Sequence, residues 1–262
     1  MTLQSPSKSA IARTFARKAG SYKHYAVIQR TILEKLTTLL CTHGLVQSPL
    51  FDFGCGAGML HDIVAEQQIV PSIVGIDLSN APLVVYRANH PGVPCIMADI
   101  EHLPLQTNSV PFAVVASVLQ WVSDINNTVN ELARVIIPQG YLVFSIFLKG
   151  TCNELCALRE KNNLPNPVHY LSLEEAHDIL CNAGFDIVCM EYMNEILHFT
   201  SARDILQSIS NIGGTAVAGP HLTRKQLTAL CAAYENTYVT PNGIPLTYSM
   251  ALGIARKKCE TL

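Results

Sequence analysis

A chain of 262 residues, 49% hydrophobic and 15% charged, is long enough to bury one large α/β core. It is too apolar for disorder, or for a nucleic-acid binder that relies on a dense basic surface. The formal net charge of −2 selects no class of partner. No apolar run reaches the roughly 18 to 20 residues of a membrane span, and "MTLQSPSKSAIARTFARKAG" contains no signal-peptide core. The expectation is a cytoplasmic protein that binds neither nucleic acid nor membrane.

In chain order, residues from about 9 to 40 show a helical pattern with Ile28, Ile32, Leu36 and Leu39 on one face. Short apolar runs then follow: "LFDF", "SIVGID", "PCIMAD", "FAVVASV" and "GYLVFSIF". They alternate with helix-like segments at 60–68, 81–88 and 126–136. That rhythm predicts βαβ repetition and a mainly parallel sheet with helices on both faces. The longest apolar stretch, "VPFAVVASVLQWV", is expected mid-sheet. The division is one domain: helices over 1–40, a core over 48–148, a helical insertion over 150–235 and a final strand within 236–262. The insertion contains Pro165 and Pro167 in a loop and one strand candidate, "DIVCMEYMNEILHF". The closing "PLTYSMALGIARK" is expected to pair beside "FDIVCMEY". Nine cysteines are scattered without a CxxC. Cys152 and Cys156, four apart, have no paired His/Cys cluster, so all nine are read as reduced thiols and no metal site is expected.

The first apolar run ends in "DFGCGAG". Its glycines, Gly54, Gly56 and Gly58, are spaced G-x-G-x-G, whereas the dinucleotide fingerprint is G-x-G-x-x-G and a P-loop needs a lysine that is absent here. Asp52 stands just before the loop, where it would repel a pyrophosphate and attract a cation. Asp77 ends the next run about twenty residues on, where an acid accepts from both hydroxyls of a ribose. Asp99 ends the third, where it can accept from an adenine amino group while the Ile100 amide donates to a ring nitrogen. Each has a plain alternative taken alone: a tight glycine turn, a helix cap at Asp77, a turn acid at Asp99. Together, at three successive strand ends, they form the cradle of a cationic nucleoside such as S-adenosyl-L-methionine.

"FDFGCGAG", "GIDLS", "ADIEHLPL", "SVLQWVSD" and "LARVIIPQGYLVFS" resemble the class I S-adenosylmethionine-dependent methyltransferases. That resemblance implies a Rossmann-like, seven-stranded, mostly parallel sheet with a reversed last strand. It adds Leu78 and Ser117 to the cofactor-binding positions Asp52, Gly54, Gly56, Gly58, Asp77, Asp99 and Ile100.

Outside the core, "IARTFARKAGSYKHYAVIQR", "FLKGTCNEL" and "SISNIGGT...LTRKQLTAL...GIPLTYSMALGIAR" resemble the malonyl-[acyl-carrier protein] O-methyltransferases. This implies an N-terminal lid and an acceptor that is malonyl-acyl carrier protein or malonyl-CoA, with the methyl ester starting pimeloyl and biotin synthesis. A carboxylate acceptor is already ionised at neutral pH and needs no general base. That agrees with histidines that are dispersed; His102, the one beside a strand end, is a catalytic candidate or a solvated loop residue.

By the same resemblance Tyr22 faces the methyl and the acceptor, Gln120 and Trp121 line the transfer site, and Lys149 holds the far carboxylate oxygen. The alternatives are a packed Tyr22, a turn whose Trp merely packs, and a solvated Lys149. Arg203, Arg224 and Lys225, with Arg159 and Lys161 nearby in sequence, are candidates for docking an acidic carrier protein, or simply solvated charges. The chain departs from the family at Ser210 and Asn211, before "IGGT", where relatives often carry lysine. The core motifs equally allow another small carboxylate or a quinone-type carbon as acceptor. A cofactor-binding module without transferase activity is the third possibility.

Overall fold

Strands buried on both faces read as continuous apolar runs and need a partner along each edge. In a computed structural model describing residues 8–46, 49–69, 71–164, 168, 170–213 and 222–259, the five runs pair in that way. β1 (Leu50–Phe53), β2 (Ile73–Asp77), β3 (Cys95–Met97), β4 (Val110–Val115) and β5 (Ile136–Phe147) run parallel. Three amphipathic helices follow strands: α4 (Met59–Glu66), α5 (Asn80–Asn89) and α6 (Ile125–Val135). Asp124 caps α6 by accepting from the Asn127 amide at 3.1 Å, which satisfies one of the donors a helix start leaves open.

Beyond β5 come α7 (Asn153–Lys161), α8 (Leu173–Asn182), β6 (Phe185–Phe199), α9 (Ala202–Asn211), α10 (Arg224–Tyr238) and β7 (Ile244–Lys257). The sheet order is β3-β2-β1-β4-β5-β7-β6, with β7 antiparallel to both neighbours. This is the seven-stranded, mostly parallel sheet with a reversed last strand, and β7 pairs along the whole of β6 as expected. β4 is the central strand. Chain order reverses between β1 and β4, and in open α/β sheets that split leaves a crevice at the carboxyl ends of the strands.

Alternation along the strands feeds two core layers. Val114 and Val143 point to the side covered by Ile32, Leu36, Leu60 and Ile63, while Val115, Leu142 and Phe144 point to Val129, Leu132 and Leu180.

One expectation is refined and one corrected. The N-terminal region is three helices, α1 (Lys8–Lys18), the single turn α2 (Tyr22–Tyr25) and α3 (Val27–Thr42). Its buried face runs through Leu33 and Leu40, with Leu39 only partly buried. The breaks fall at the turn holding Gly20 and at Ala26, whose φ and ψ of −84° and 49° are not helical. The strand expected to continue through "ASV" stops at Val115 because Ser117 takes a left-handed φ of 58°. Pro165, Pro167, Gly214 and Thr215 lie outside the described residues. No described helix is long and apolar enough to cross a membrane.

Candidate active site

The crevice begins with the glycine loop. The amides of Gly54 and Cys55 both donate to the Ile76 carbonyl, at 2.7 and 3.0 Å, which folds the loop back over β2. Gly54 has φ +77°, and a Cβ there would lie 2.2 Å from Val118 Cγ2. Gly58 has φ +83°, and its Cβ would lie 2.4 Å from the Tyr86 ring. Both positions combine a left-handed backbone with a close neighbour, so neither admits a side chain. Asp77 braces the loop from below. Its Oδ2 accepts from the Gly56 amide at 3.0 Å and its Oδ1 from the Ser79 amide at 2.8 Å.

A cavity opens over these strand ends. β1 and its loop contribute Asp52, Gly54 and Gly56; β2 contributes Asp77 and Leu78; β3 leads to Asp99 and Ile100; the turn after β4 brings Ser117. Of the nine positions expected to bind cofactor, only Gly58 is outside this wall; it caps α4 instead.

The charge inside is negative. Asp52 is 4% exposed, and burial, then the neighbouring Asp77, pushes its carboxyl up to about 7. Burial also raises Asp77, opposed by the Ser79 and Gly56 amides. The two lysines in the wall are committed to other acids, Lys8 to Asp99 and Glu101, and Lys23 to Asp62. The Ser117 hydroxyl and the Gln29 amide oxygen are buried without a hydrogen-bond partner. Buried polar atoms are ordinarily satisfied. Two desolvated acids and two orphaned polar atoms around one cavity therefore fit a ligand with an ammonium, a sulfonium and ribose hydroxyls.

The N-terminal helices roof the cavity. Ile11, Phe15 and Ala19 of the α1 region face into it together with Tyr22. The Phe15 ring lies 5.9 Å from Tyr22 and 5.4 Å from Trp121. Beyond its lysine at Asp99, the roof is tied by Ser79 Oγ donating to the Ala12 carbonyl at 3.4 Å and Lys18 donating to Asn211 at 2.8 Å. Burial and Asp77 together hold the Tyr22 phenol far above the ordinary tyrosine range, so it is a proton donor and not a base.

Trp121 and Gln29 are shared with a second, more apolar cavity. Gln120 lines only this second one; its Nε2 donates to the Ser117 carbonyl at 2.9 Å and its Oε1 is buried without a partner. The far wall comes from α7 and its flanking segments, with Cys152, Cys156, Arg159 and Tyr170, and from Tyr248 of β7. α7 is pinned to β7 by buried polar contacts. Glu154 accepts from the Thr247 hydroxyl and from the Thr247 amide at 3.2 Å, while Thr151 Oγ1 donates to the Ser249 carbonyl at 2.7 Å.

Lys149 is a correction. It is 56% exposed and paired with Glu175 at 2.9 Å, and it lines neither cavity. Just past β5 the Lys149 amide donates to the Leu171 carbonyl at 2.8 Å, which sets the lysine on the surface beside the start of α8. The cation that does reach the second cavity is Arg159, grouped from sequence with docking charges. His102 is 77% exposed and 4.0 Å from Asp99, outside both cavities. Arg203, Arg224, Lys225 and Lys161 are exposed. Gln29 and Glu154 were not singled out from sequence. Gln29 had a signal: it stands on the apolar face of α3 between Ile28 and Ile32, where a polar side chain needs a reason.

Residues 51–144 match the family described as a methyltransferase domain. Over nearly its full length the chain is similar to proteins named malonyl-[acyl-carrier protein] O-methyltransferase. It is 27% identical to that of Pectobacterium atrosepticum, covering 97% of this chain and 98% of the relative. It is 28% identical to that of Brevibacillus brevis, covering 93% and 94%. Among solved structures it is similar to a putative methyltransferase from Bacillus halodurans, with TM-score 0.60 and 16% identity over 87% of this chain and all (100%) of that one. It is also similar to the [4+2]-cyclase SpnF, with TM-score 0.56 and 21% identity over 86% and 80%. Those structural likenesses describe the fold, and a fold hosts more than one chemistry.

Proposed function

We propose that this chain, a class I S-adenosylmethionine-dependent methyltransferase in its sheet and its glycine loop, esterifies the free carboxylate of malonyl-[acyl-carrier protein]. The product is the malonyl methyl ester that starts pimeloyl and biotin synthesis. The observation that carries the proposal is the pair of cavities sharing Trp121 and Gln29. One is acidic and built from the strand ends; the other joins Gln120, Trp121 and Phe147 of the core to segments outside it, and the relatives of that name align across both.

The first cavity is assigned to the cofactor. Asp52 attracts the cationic end, Asp77 takes the ribose, and Asp99 with the Ile100 amide takes the adenine. When bound, S-adenosylmethionine supplies a methyl group on a sulfonium, whose S–C electron pair stays with sulfur. The protein's own work is positioning and water exclusion. Phe15 and Trp121 close the roof, Tyr22 donates its phenolic proton toward the acceptor, and Gln29 and Gln120 supply amide dipoles at the shared wall. No side chain has to remove a proton, because a malonyl carboxylate enters ionised. The buried phenols, Tyr22, Tyr170 and Tyr248, all have raised pKa values and remain neutral.

The test is incubation of purified protein with methyl-labelled cofactor and malonyl-carrier protein. A base-labile methyl ester on the carrier is expected. Cofactor binding with no such ester overturns the proposal, and a base-stable product on a ring substrate moves it to carbon methylation. Malonyl-CoA is assayed in parallel, and a higher kcat/KM with the carrier protein is expected.

A further inference from the structure

We propose that Gln29 of α3 bridges the two ligands at the junction of the cavities: its carboxamide oxygen accepts from the ammonium of the cofactor while its nitrogen donates to the acceptor carboxylate, so that each ligand strengthens binding of the other. The names of the two ligands rest on the function proposed above. The place and the two-ended chemistry rest on Gln29 itself.

Among the described residues only Gln29 and Trp121 stand in the walls of both cavities. The indole offers one N–H donor and no acceptor, whereas a carboxamide offers both. Gln29 is 6% exposed and lies on the face of α3 that buries Ile28, Ile32 and Leu36. Leu33, one turn further along the helix, lines the cofactor cavity as well. The other polar side chain buried on α3, Thr37, is satisfied within its own helix, its hydroxyl donating to the Leu33 carbonyl at 2.8 Å. Gln29 has no such bond, and its Oε1 is buried without a partner. An apolar side chain would fill this position without the cost of desolvating an amide. What the carboxamide adds therefore comes only when a ligand supplies the donor that its oxygen lacks.

A carboxamide's oxygen and nitrogen diverge, and they need opposite partners. An ammonium carries only donors and an ionised carboxylate only acceptors, so neither ion alone satisfies both ends. One of each does, and the junction of the cavities is where a cofactor's reacting end and its acceptor have to meet. With the ribose assigned to Asp77 and the adenine to Asp99 and the Ile100 amide, the cofactor donor left for Gln29 is the ammonium, which Asp52 also attracts. Hydrogen bonds to ionised groups are the strong ones, and the carboxamide makes two without adding a charge to the cavity. An ammonium on the oxygen polarises the amide and makes its N–H a better donor. The first ligand also fixes the side chain, so the second does not bear the cost of ordering it. The coupling is reciprocal, each ligand raising the other's affinity by the same factor.

Trp121 is the chain's single tryptophan and stands in both cavity walls, so its fluorescence reports occupancy without turnover. Wild type, Gln29→Met and Gln29→Glu are titrated with malonyl-pantetheine, with and without S-adenosylhomocysteine, which keeps the ammonium and has no methyl to transfer. Wild type is expected to bind malonyl-pantetheine about fivefold to fiftyfold tighter when S-adenosylhomocysteine is bound. Gln29→Met, of similar length with neither donor nor acceptor, is expected to cut that factor to about twofold or less, while the free variant melts at or above the wild-type temperature. Gln29→Glu keeps an acceptor for the ammonium and loses the donors. It is expected to hold S-adenosylhomocysteine as wild type does, to bind malonyl-pantetheine more weakly, and to stand in should the Met variant not fold. 5′-Methylthioadenosine, which lacks the ammonium, and acetyl-pantetheine, which lacks the carboxylate, are each expected to show no coupling. A wild-type factor near one, a factor unchanged in Gln29→Met, or full coupling with either truncated ligand overturns the assignment. The labelled-methyl assay is scored separately. Coupling that depends on Gln29 without ester formation sinks the proposed function and leaves the bridge intact. Ester formation with coupling indifferent to Gln29 does the reverse.

Discussion

Phe15 meets Trp121 edge to face, ring centroids 5.4 Å apart and planes at 87°, so a helix near the start of the chain touches the wall shared by the two cavities. An aromatic pair in this geometry contributes about 0.5–1.5 kcal/mol beyond its burial. Phe15→Ala is therefore expected to weaken cofactor binding by about threefold to tenfold and to shift Trp121 emission to the red as water reaches the indole. Emission and affinity both equal to wild type would show that the roof contributes nothing to the site.

Asp52, in the role proposed for it, is expected to make cofactor binding depend on pH. Its carboxyl, pushed up to about 7 by burial and by Asp77, is largely protonated in slightly acid solution, and a cationic ligand favours the ionised form. Binding is then accompanied by proton release below about pH 7, and affinity rises with pH and levels off above it. The stability of the free protein runs the other way. A carboxyl with a folded pKa above its unfolded value of 3.8 favours the folded state at low pH, and that contribution is lost as pH rises through the folded value. The cofactor should accordingly raise the melting temperature more at about pH 8 than at about pH 6. Calorimetry in buffers of different ionisation heat measures the proton directly; none released near pH 6 removes Asp52 from the cationic site. Asp52→Asn is expected to flatten the profile as well as weaken binding.

Asp77 is engaged twice, by the Gly56 and Ser79 amides and, as proposed, by the ribose. Asp77→Ala removes both roles and is expected to weaken cofactor binding by about 1.5–3 kcal/mol. Asp77→Asn keeps one acceptor oxygen for the loop and should lose less. An adenosine analogue lacking both ribose hydroxyls separates the two roles. If Asp77→Ala weakens that analogue as much as it weakens the cofactor, the residue serves the loop alone.

The strand-end half of the candidate site was legible because it is local. Asp52, Asp77 and Asp99 each follow an apolar run directly, and strand ends in a parallel sheet share one edge whatever happens elsewhere. The second cavity is assembled from a distance. Arg159 is set by α7, and α7 is held through Glu154 and Thr247, partners 93 residues apart, a pairing that no periodicity encodes. Lys149 is hard to place for the same reason: a strand's end is readable, whereas the bond from its amide to the Leu171 carbonyl, which sets it beside the start of α8, is not. Leu39, three residues past Leu36 on α3, packs at the edge of the buried face rather than at its centre.

Tyr22 separates chemistry from binding. Its phenol is neutral at working pH and lines the cofactor cavity beside Phe15, so its contribution is a donated hydrogen bond and shape. Tyr22→Phe keeps the ring against Phe15 and removes only the donor. Turnover on malonyl-carrier protein is expected to fall about tenfold or more, with cofactor affinity within about twofold of wild type. Lys149→Met is the matched control. Its ion pair with Glu175 is exposed, such pairs contribute little, and kcat and KM should both stay within about twofold. If Tyr22→Phe lowers affinity and turnover by the same factor, Tyr22 supports the bound cofactor. If Lys149→Met raises the KM for the carrier protein, the lysine acts from outside the cavity, on the carrier's surface.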